Sequence, residues 1–435
     1  MAPEAVLTLG MFGGLIVAIM FGVSLSYAMG AVAVITAYLM WGFGGFMSVV
    51  APVFNYMWML MLSAVPLFIL IGVVLANSKI AEEMYSAFYL WSGNLRGGLA
   101  IGSTIFAAAL SAMTGNCSAS TVTTGLVGIP QMRKRNYDER MIFGTIGSAG
   151  TLGILIPPSI SLIIIGMMTT QSVGKLFAGG LAGGLIILIS FILYILIRSW
   201  LNPQLCPSVK EHVDIFVKIK ALKSVCLPLI LISSVLISIF FGIATPTEAA
   251  SIGAVCVVIL VMIRKEFNWE FVKSVTFQTA VISGMVMWIM FGAGAFVTVF
   301  RSSGGIHFIQ NLLLGLDMSP LLMVIWIQVF VLFLGMFLDP MGIILICLPL
   351  VDPIIRQAGI DPLWFAIIFN INICIGYITP PFGYNLFYLK TLDPKINIFM
   401  LYQSMIPFIA IMLFCEALMF IFPELITYLP KVMVR

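Results

Sequence analysis

Thr114-Gly115-Asn116-Cys117-Ser118 interrupts an apolar stretch running from residue 98 to 132, and Asp339-Pro340-Met341-Gly342 interrupts a second running from 320 to 356. Each half is about as long as half a membrane crossing. Broken backbone at that depth is tolerated only where protein encloses it, so both stretches read as re-entrant helical hairpins with tips near the midplane. The rest of the chain also demands a membrane. Of 435 residues, 61% are apolar and 9% charged, with mean hydropathy +1.15, against roughly 45–50% and 25% in soluble domains. A water-soluble globular fold is excluded. Spans are expected at 5–22, 27–45, 57–77, 140–170, 174–198, 223–243, 247–264, 276–300, 362–390 and 397–422. The expected fold is therefore an all-α polytopic membrane protein of about ten transmembrane helices plus two re-entrant hairpins. The first segment has no basic residues ahead of it and reads as a span rather than a cleaved signal.

Threading these elements with the N-terminus outside places 16 of the 21 basic residues in the cytoplasm, Arg133, Lys134, Arg135, Lys210 and Arg264 among them. Lys175, Arg301, Arg356, Lys431 and Arg435 stay outside, the asymmetry required by the positive-inside rule. Counting either hairpin as a full span would destroy it. Both termini are expected on the outer side. Lys79–Asn94, Val209–Lys223 and Ile306–Leu316 mix charge with aromatic and apolar residues, as helices lying along the interface do.

A shift of 223 residues superposes Met113 on Met336, Pro130 on Pro353, Arg133 on Arg356, Asp138 on Asp361, Gly153 on Gly376 and Pro157-Pro158 on Pro380-Pro381. The matches are modest in number, but they fall on the same order of elements: interfacial helix, broken hairpin, polar turn, broken span. The first polar turn threads inside and the second outside, so the copies are inverted, as in many secondary transporters. The chain then divides into scaffold helices at 1–56, a first repeat at 57–200, connecting scaffold at 201–275, a second repeat at 276–425 and a tail at 426–435.

The first hairpin tip and the following Ser120, Thr121, Thr123 and Thr124 form the richest polar run. Its half-helix ends turn carbonyls toward a cation and amides and hydroxyls toward an anion. Facing it should be Gly147–Gly153 and Ile156-Pro157-Pro158-Ser159. There the prolines remove backbone amides and free upstream carbonyls as hard ligands for a small cation, naturally sodium. The break recurs at Gly376 and Thr379-Pro380-Pro381. Ser118, Ser120, Thr151, Ser159, Pro381 and Asn385 are the expected substrate contacts, while Asn370 and Asn372 stand before the second break as helix-joining groups. Glu248 and Asp339 are intramembrane acids, which by default mark ion or substrate paths. For Glu248 a helix-start role beside Thr245 and Pro246 competes evenly. Arg301 is expected to gate or attract an anion, with an interfacial snorkelling role as the alternative.

Seven separate cysteines and two histidines, His212 and His307, give neither a metal cluster nor a catalytic triad, and no transition metal is expected. The chain carries no Walker motif, so no nucleotide is expected and energy must come from an ion gradient or a partner.

At these residues the chain resembles the large membrane subunit of the tripartite ATP-independent periplasmic (TRAP) transporters, the DctM-like family. The resemblance rests on Pro66-Leu67-Phe68, the Gly115–Gly125 hairpin, Tyr137-Asp138-Glu139-Arg140, Gly150–Ser159, Thr247-Glu248-Ala249-Ala250, Phe333–Asp339 and Ile378-Thr379-Pro380-Pro381. It implies an ion-transporter-superfamily-like elevator in the bacterial inner membrane, driven by two or more sodium ions. It also implies a separate four-helix DctQ-like small subunit and a periplasmic DctP-like binding protein that delivers an organic acid anion. C4-dicarboxylates are the default cargo, and sugar acids, keto acids, compatible solutes and sulfonates are equally compatible. The family's sodium sites carry over onto Gly115, Asn116, Gly150, Gly153 and Pro157, and onto Gly335, Asp339, Gly376 and Thr379. The tip departs from the family's usual Gly-Ser-Ser, with Asn116 and Cys117 replacing two hydroxyls. A freestanding sodium-coupled dicarboxylate symporter is the nearest alternative. A membrane enzyme would need a nucleophile–base pair or two close acids, and the sequence offers neither.

Overall fold

The computed structural model describes residues 3–93, 95–207, 214–314 and 319–433. Lys210, His212, Arg435, the segment Val209–Val213 and the end of the Ile306–Leu316 arm lie outside the described residues. Among those described, the chain forms twenty α-helices, three short 3-10 turns and no strand.

The scaffold begins with α1 (Pro3–Met20), α2 (Leu25–Trp41), α3 (Phe46–Met57) and α4 (Ala64–Asn77), and is completed by α11 (Ile215–Phe240), α12 (Pro246–Ile263) and α13 (Trp269–Ser302). α13 is its central post, against which α2, α3 and α4 pack. Two glycines permit the contact. A Cβ on Gly292 would fall 2.3 Å from the Ser26 carbonyl oxygen, and one on Gly294 would fall 2.1 Å from the Tyr56 ring. α12 shows why such helices suit lipid. Ala249, Ala250, Gly253 and Ala254 face inward, while Ile252, Val255, Ile259 and Ile263 are exposed. Small residues let backbones approach, and large apolar ones meet acyl chains.

Each repeat then follows one plan. In the first, the amphipathic α5 (Lys79–Ser92) leads to hairpin arms α6 (Gly98–Thr114) and α7 (Cys117–Lys134). The broken helix is α8 (Glu139–Thr151) and α9 (Ile160–Thr169), and the span α10 (Val173–Leu201) closes the unit. In the second, α14 (Gly305–Leu314) leads to arms α15 (Pro320–Gly335) and α16 (Pro340–Gln357). The broken helix is α17 (Pro362–Gly376) and α18 (Tyr384–Leu392), followed by α19 (Ile398–Ile421) and α20 (Glu424–Met433). α8, α9 and α17 are almost wholly buried, α9 and α17 as expected of helices apolar on nearly every face.

The 223-residue offset acquires physical content here. Asp138 caps α8 and Asp361 caps α17, each through its carboxylate to first-turn amides. Pro157-Pro158 and Pro380-Pro381 are both cis. Arg133, at the end of α7, donates to Asp393 beyond α18; its counterpart Arg356, at the end of α16, donates to the Thr169 carbonyl at the end of α9. Each repeat's hairpin is thus clasped to the other repeat's broken helix. Arg133 also holds Glu139 at 2.7–2.8 Å, and Arg356 holds Asp352 at 2.8 Å.

Three boundaries differ from the sequence expectation. Residues 46–56 are not a connection but the body of α3, turned back against α13; α4 starts only at Ala64, after the turn Leu60–Ser63. α11 begins at Ile215 because its polar first turns lie against α5, where Trp91 Nε1 donates to the Lys218 carbonyl at 3.1 Å. The expected tail is helical as α20, burying Ile426, Thr427 and Pro430, and a Cβ on Gly179 of α10 would meet the Ile426 carbonyl oxygen at 3.0 Å.

Arg133 holds the Asp393 carboxyl below the usual carboxylate range. A depressed carboxylate contributes stability above its unfolded value and loses it as pH falls through the folded one. Wild-type melting temperature should therefore carry the full contribution of this pair between pH 8 and pH 5 and fall in acid below about pH 4. Asp393→Asn should be less stable near neutrality and show a smaller acid-induced drop, as read by thermal melts in detergent at each pH.

Candidate ion and substrate site

The two hairpin tips meet the two breaks at the centre of the paired repeats. In the first junction Gly115 adopts φ +60° to turn the chain, and Asn116 then caps α7. Its Oδ1 accepts from the Ser118 amide at 3.0 Å and from Ser118 Oγ at 2.7 Å. Gly115 lies over the break: a Cβ there would fall 2.7 Å from the Pro158 carbonyl oxygen. Gly153 lies under the tip, where a Cβ would meet the Asn116 carbonyl carbon and the Cys117 amide at 3.2 and 3.3 Å. Cys117 Sγ is 3.5 Å from the Thr151 carbonyl oxygen. The tip and the break therefore bring backbone carbonyls together with no bulky side chain between them.

The second junction repeats the plan with closer backbones. A Cβ on Gly376 would fall 2.7 Å from Gly335 Cα, and one on Gly335 would fall 2.9 Å from Gly376 Cα. Asp339 stands where Asn116 stands under the 223-residue offset, and it also caps its arm, accepting from Met341 and Gly342 amides at 3.1 and 3.4 Å. The Gly383 amide donates to the Met336 carbonyl at 3.3 Å, and Thr379 Oγ1 donates to the Ile375 carbonyl at 2.6 Å.

Asparagines join the two junctions. Asn370 Nδ2 on α17 donates to the Ile154 carbonyl of the first break at 2.8 Å, and Asn385 Nδ2 on α18 donates to the Gly147 carbonyl of α8 at 2.6 Å. Asn372 ties α17 to its own hairpin through Gln328. The helix-joining role read for Asn370 and Asn372 is what the geometry contains.

Gly115, Asn116, Gly153, Pro157, Gly335, Asp339, Gly376 and Thr379 all come together at the tip–break junctions. Gly150 does not; it receives Thr121 of α7, whose Oγ1 would be 1.9 Å from a Cβ. Among the substrate candidates, Ser120 Oγ joins the hairpin arms, accepting from Ser111 and donating to the Ala107 carbonyl. Thr151 Oγ1 donates to the Ser148 carbonyl and Ser159 Oγ to that of Ile154. The Pro381 carbonyl accepts from Tyr402. Asn385 keeps a buried, unpartnered Oδ1, and Ser118 stays part-exposed at the tip. Arg301 lies apart, in a crevice between scaffold and hairpin. Glu248 is also elsewhere: it is exposed and closes a capping box with Thr245 at the start of α12, the helix-start alternative.

One acid escaped attention in the sequence. Glu416 is buried in α19 at 9% exposure and makes no ion pair among the described residues. Its signal was a lone carboxylate within an otherwise uncharged 24-residue helix.

Two inverted repeats of hairpin and broken helix, meeting at carbonyl-lined junctions, define a secondary membrane transporter of the discontinuous-helix type. Residues 12–425 match the family described as "Tripartite ATP-independent periplasmic transporter, DctM component", and the chain belongs to that family. It is 30% identical over 374 residues to the C4-dicarboxylate TRAP transporter large permease protein DctM of Pseudomonas aeruginosa, covering 85% of this chain and 84% of that one. It is also 30% identical over 359 residues to the isethionate TRAP transporter permease protein DctMQ of Oleidesulfovibrio alaskensis, covering 80% of this chain and 55% of that longer one. Among solved structures, the Alcanivorax borkumensis YdaH transporter shares the fold, with a TM-score of 0.62 and 15% identity over 86% of this chain and 87% of that one.

Three outcomes test the geometry. Gly376→Val drives methyl groups into the Gly335 backbone and should lose about 1–3 kcal/mol, seen as a lower melting temperature. Gly284→Ala, where a Cβ meets nothing within 4 Å, should leave it unchanged or slightly higher. Glu248→Gln should leave substrate uptake within about twofold of wild type, because the side chain can still accept the Thr245 amide in the capping box.

Proposed function

We propose that this chain is the large permease of a sodium-driven importer of a small organic anion in the bacterial inner membrane, working with a separate four-helix subunit and a periplasmic binding protein. The observation that carries the reading is the mutual clasp of the two repeats. The Asn370–Ile154, Asn385–Gly147, Arg133–Asp393 and Arg356–Thr169 contacts make both hairpins and both broken helices one body. Such a body suits an elevator motion against α1–α4 and α11–α13, with both termini on the outer side.

Sodium is the coupling ion in this reading. Carbonyls at the two junctions are hard ligands of the right kind for a small cation. Asn116 and Asp339 act by shaping the tips, and Asp339 adds a negative charge at the second. The substrate meets Ser118, part-exposed at the first tip. The dicarboxylate and the sulfonate named for two relatives are both small oxyanions, and this is the cargo class assigned here.

The test is uptake into proteoliposomes holding this chain with its small partner subunit. Radiolabelled succinate and isethionate are offered with and without an inward sodium gradient and the cognate binding protein. Uptake requiring the gradient and both partners is the expected result. Uptake with sodium alone would make the chain a freestanding symporter, and sodium-independent flux at channel rates would overturn alternating access.

A further inference from the structure

Two contiguous cavities of about 310 and 330 Å³ share Tyr56, Met59 and Thr298. One wall is scaffold: the end of α3 and the last turns of α13, carrying Asn55, Tyr56, Thr298 and Arg301. The opposite wall belongs to the clasped body: Met167 and Met168 of α9, and Pro349, Asp352 and Pro353 of α16. The crevice is apart from both tip–break junctions, and its combined size falls in the range of small-molecule sites.

Its charge is one-sided. Asp352 faces the crevice but is bound to Arg356 at 2.8 Å. Arg301 is exposed into the same space and makes no ion pair among the described residues. Glu4, over Gly304 one turn beyond, does not pair with it either. At this wall the Ser48 hydroxyl is donated to the Gly45 carbonyl, while the Tyr56 and Thr298 hydroxyls and the Asn55 amide can donate hydrogen bonds to an oxyanion. A guanidinium binds carboxylates and sulfonates through parallel N–H donors. In a cleft bounded by protein, a single unopposed charge focuses its field on what enters.

We propose that this crevice is an anion-selective vestibule, in which Arg301 on the static wall receives the carboxylate or sulfonate of a small organic anion. Arg301 does not travel with the clasped body, so it selects the cargo without contributing to the junctions that carry ions. The proposal rests on the organic-anion reading for the identity of the cargo, but its test reads the crevice directly.

Thr298→Cys in the full chain, reconstituted in liposomes, is modified with the anionic methanethiosulfonate ethylsulfonate and, separately, with its cationic ethyltrimethylammonium analogue. Modification at position 298 is followed by peptide mass spectrometry, which separates it from the exposed native Cys226 and Cys256. The anionic-to-cationic rate ratio should fall about tenfold when Arg301→Gln is added. In the single variant it should also fall as salt rises from 0.01 to about 0.15 M. Arg301→Lys should retain most of the selectivity. Asn55→Cys, in the adjoining cavity, gives the same comparison should Thr298→Cys fail to fold. A ratio unmoved by Arg301→Gln at either position would overturn the proposal, whatever the uptake assay shows. Loss of sodium-dependent uptake with the charge selectivity intact would overturn the transport reading alone.

Discussion

A helix that stops in the middle of a membrane leaves amides and carbonyls without water to satisfy them. This chain contains four such interruptions, at two hairpin tips and two breaks, and the rest of the architecture follows from how they are satisfied. At the tips, Asn116 and Asp339 bind the first amides of the following arm. At the first break, side chains take up backbone carbonyls: Asn370 of α17 and the local Ser159 for Ile154, and Asn385 of α18 for Gly147. A buried carbonyl left unpaired costs about 1–3 kcal/mol, so each asparagine is a structural requirement before it is anything else. The carbonyls of Pro158 and Thr151 are brought beside the first tip.

Much of this was readable in the chain itself. Interruption of two apolar stretches by polar residues announced the hairpins, and the repeated Pro-Pro pairs announced the breaks. The offset joining Asp138 to Asp361 proved to join two N-caps, and the same offset joins Asn116 to Asp339, a pair that identity matching overlooks because the residues differ. Their chemistry is the same: a short side-chain oxygen that accepts first-turn amides.

Other features were not legible, for physical reasons. The body of α3 looked like a connection because Pro52 and the polar Asn55 and Tyr56 weaken its apolar signal, yet tertiary packing against Gly294 makes it helix. Hydroxyls at Ser120, Thr151 and Ser159 looked free for a substrate because nothing local shows that a carbonyl three to thirteen residues away will accept them. Ser and Thr satisfy their own neighbourhood first. The fate of Glu248 turned on exposure, which a one-dimensional pattern in a hydrophobic chain does not carry. Glu416 lay hidden for the opposite reason, as a single charge in a helix otherwise suited to lipid.

The clasp between the repeats also sets an order of assembly. Arg133 leaves the ribosome 260 residues before the Asp393 it will hold, an interval of roughly ten to fifty seconds at ordinary elongation rates. During that time the first hairpin is inserted beside a partner that does not yet exist. Its polar tip and the carbonyls of the first break must then be sheltered by the scaffold, by water entering from one side, or by the insertion machinery. The first half of this protein is therefore the part most dependent on assistance in the membrane, and a chain cut short before α18 would leave it permanently open.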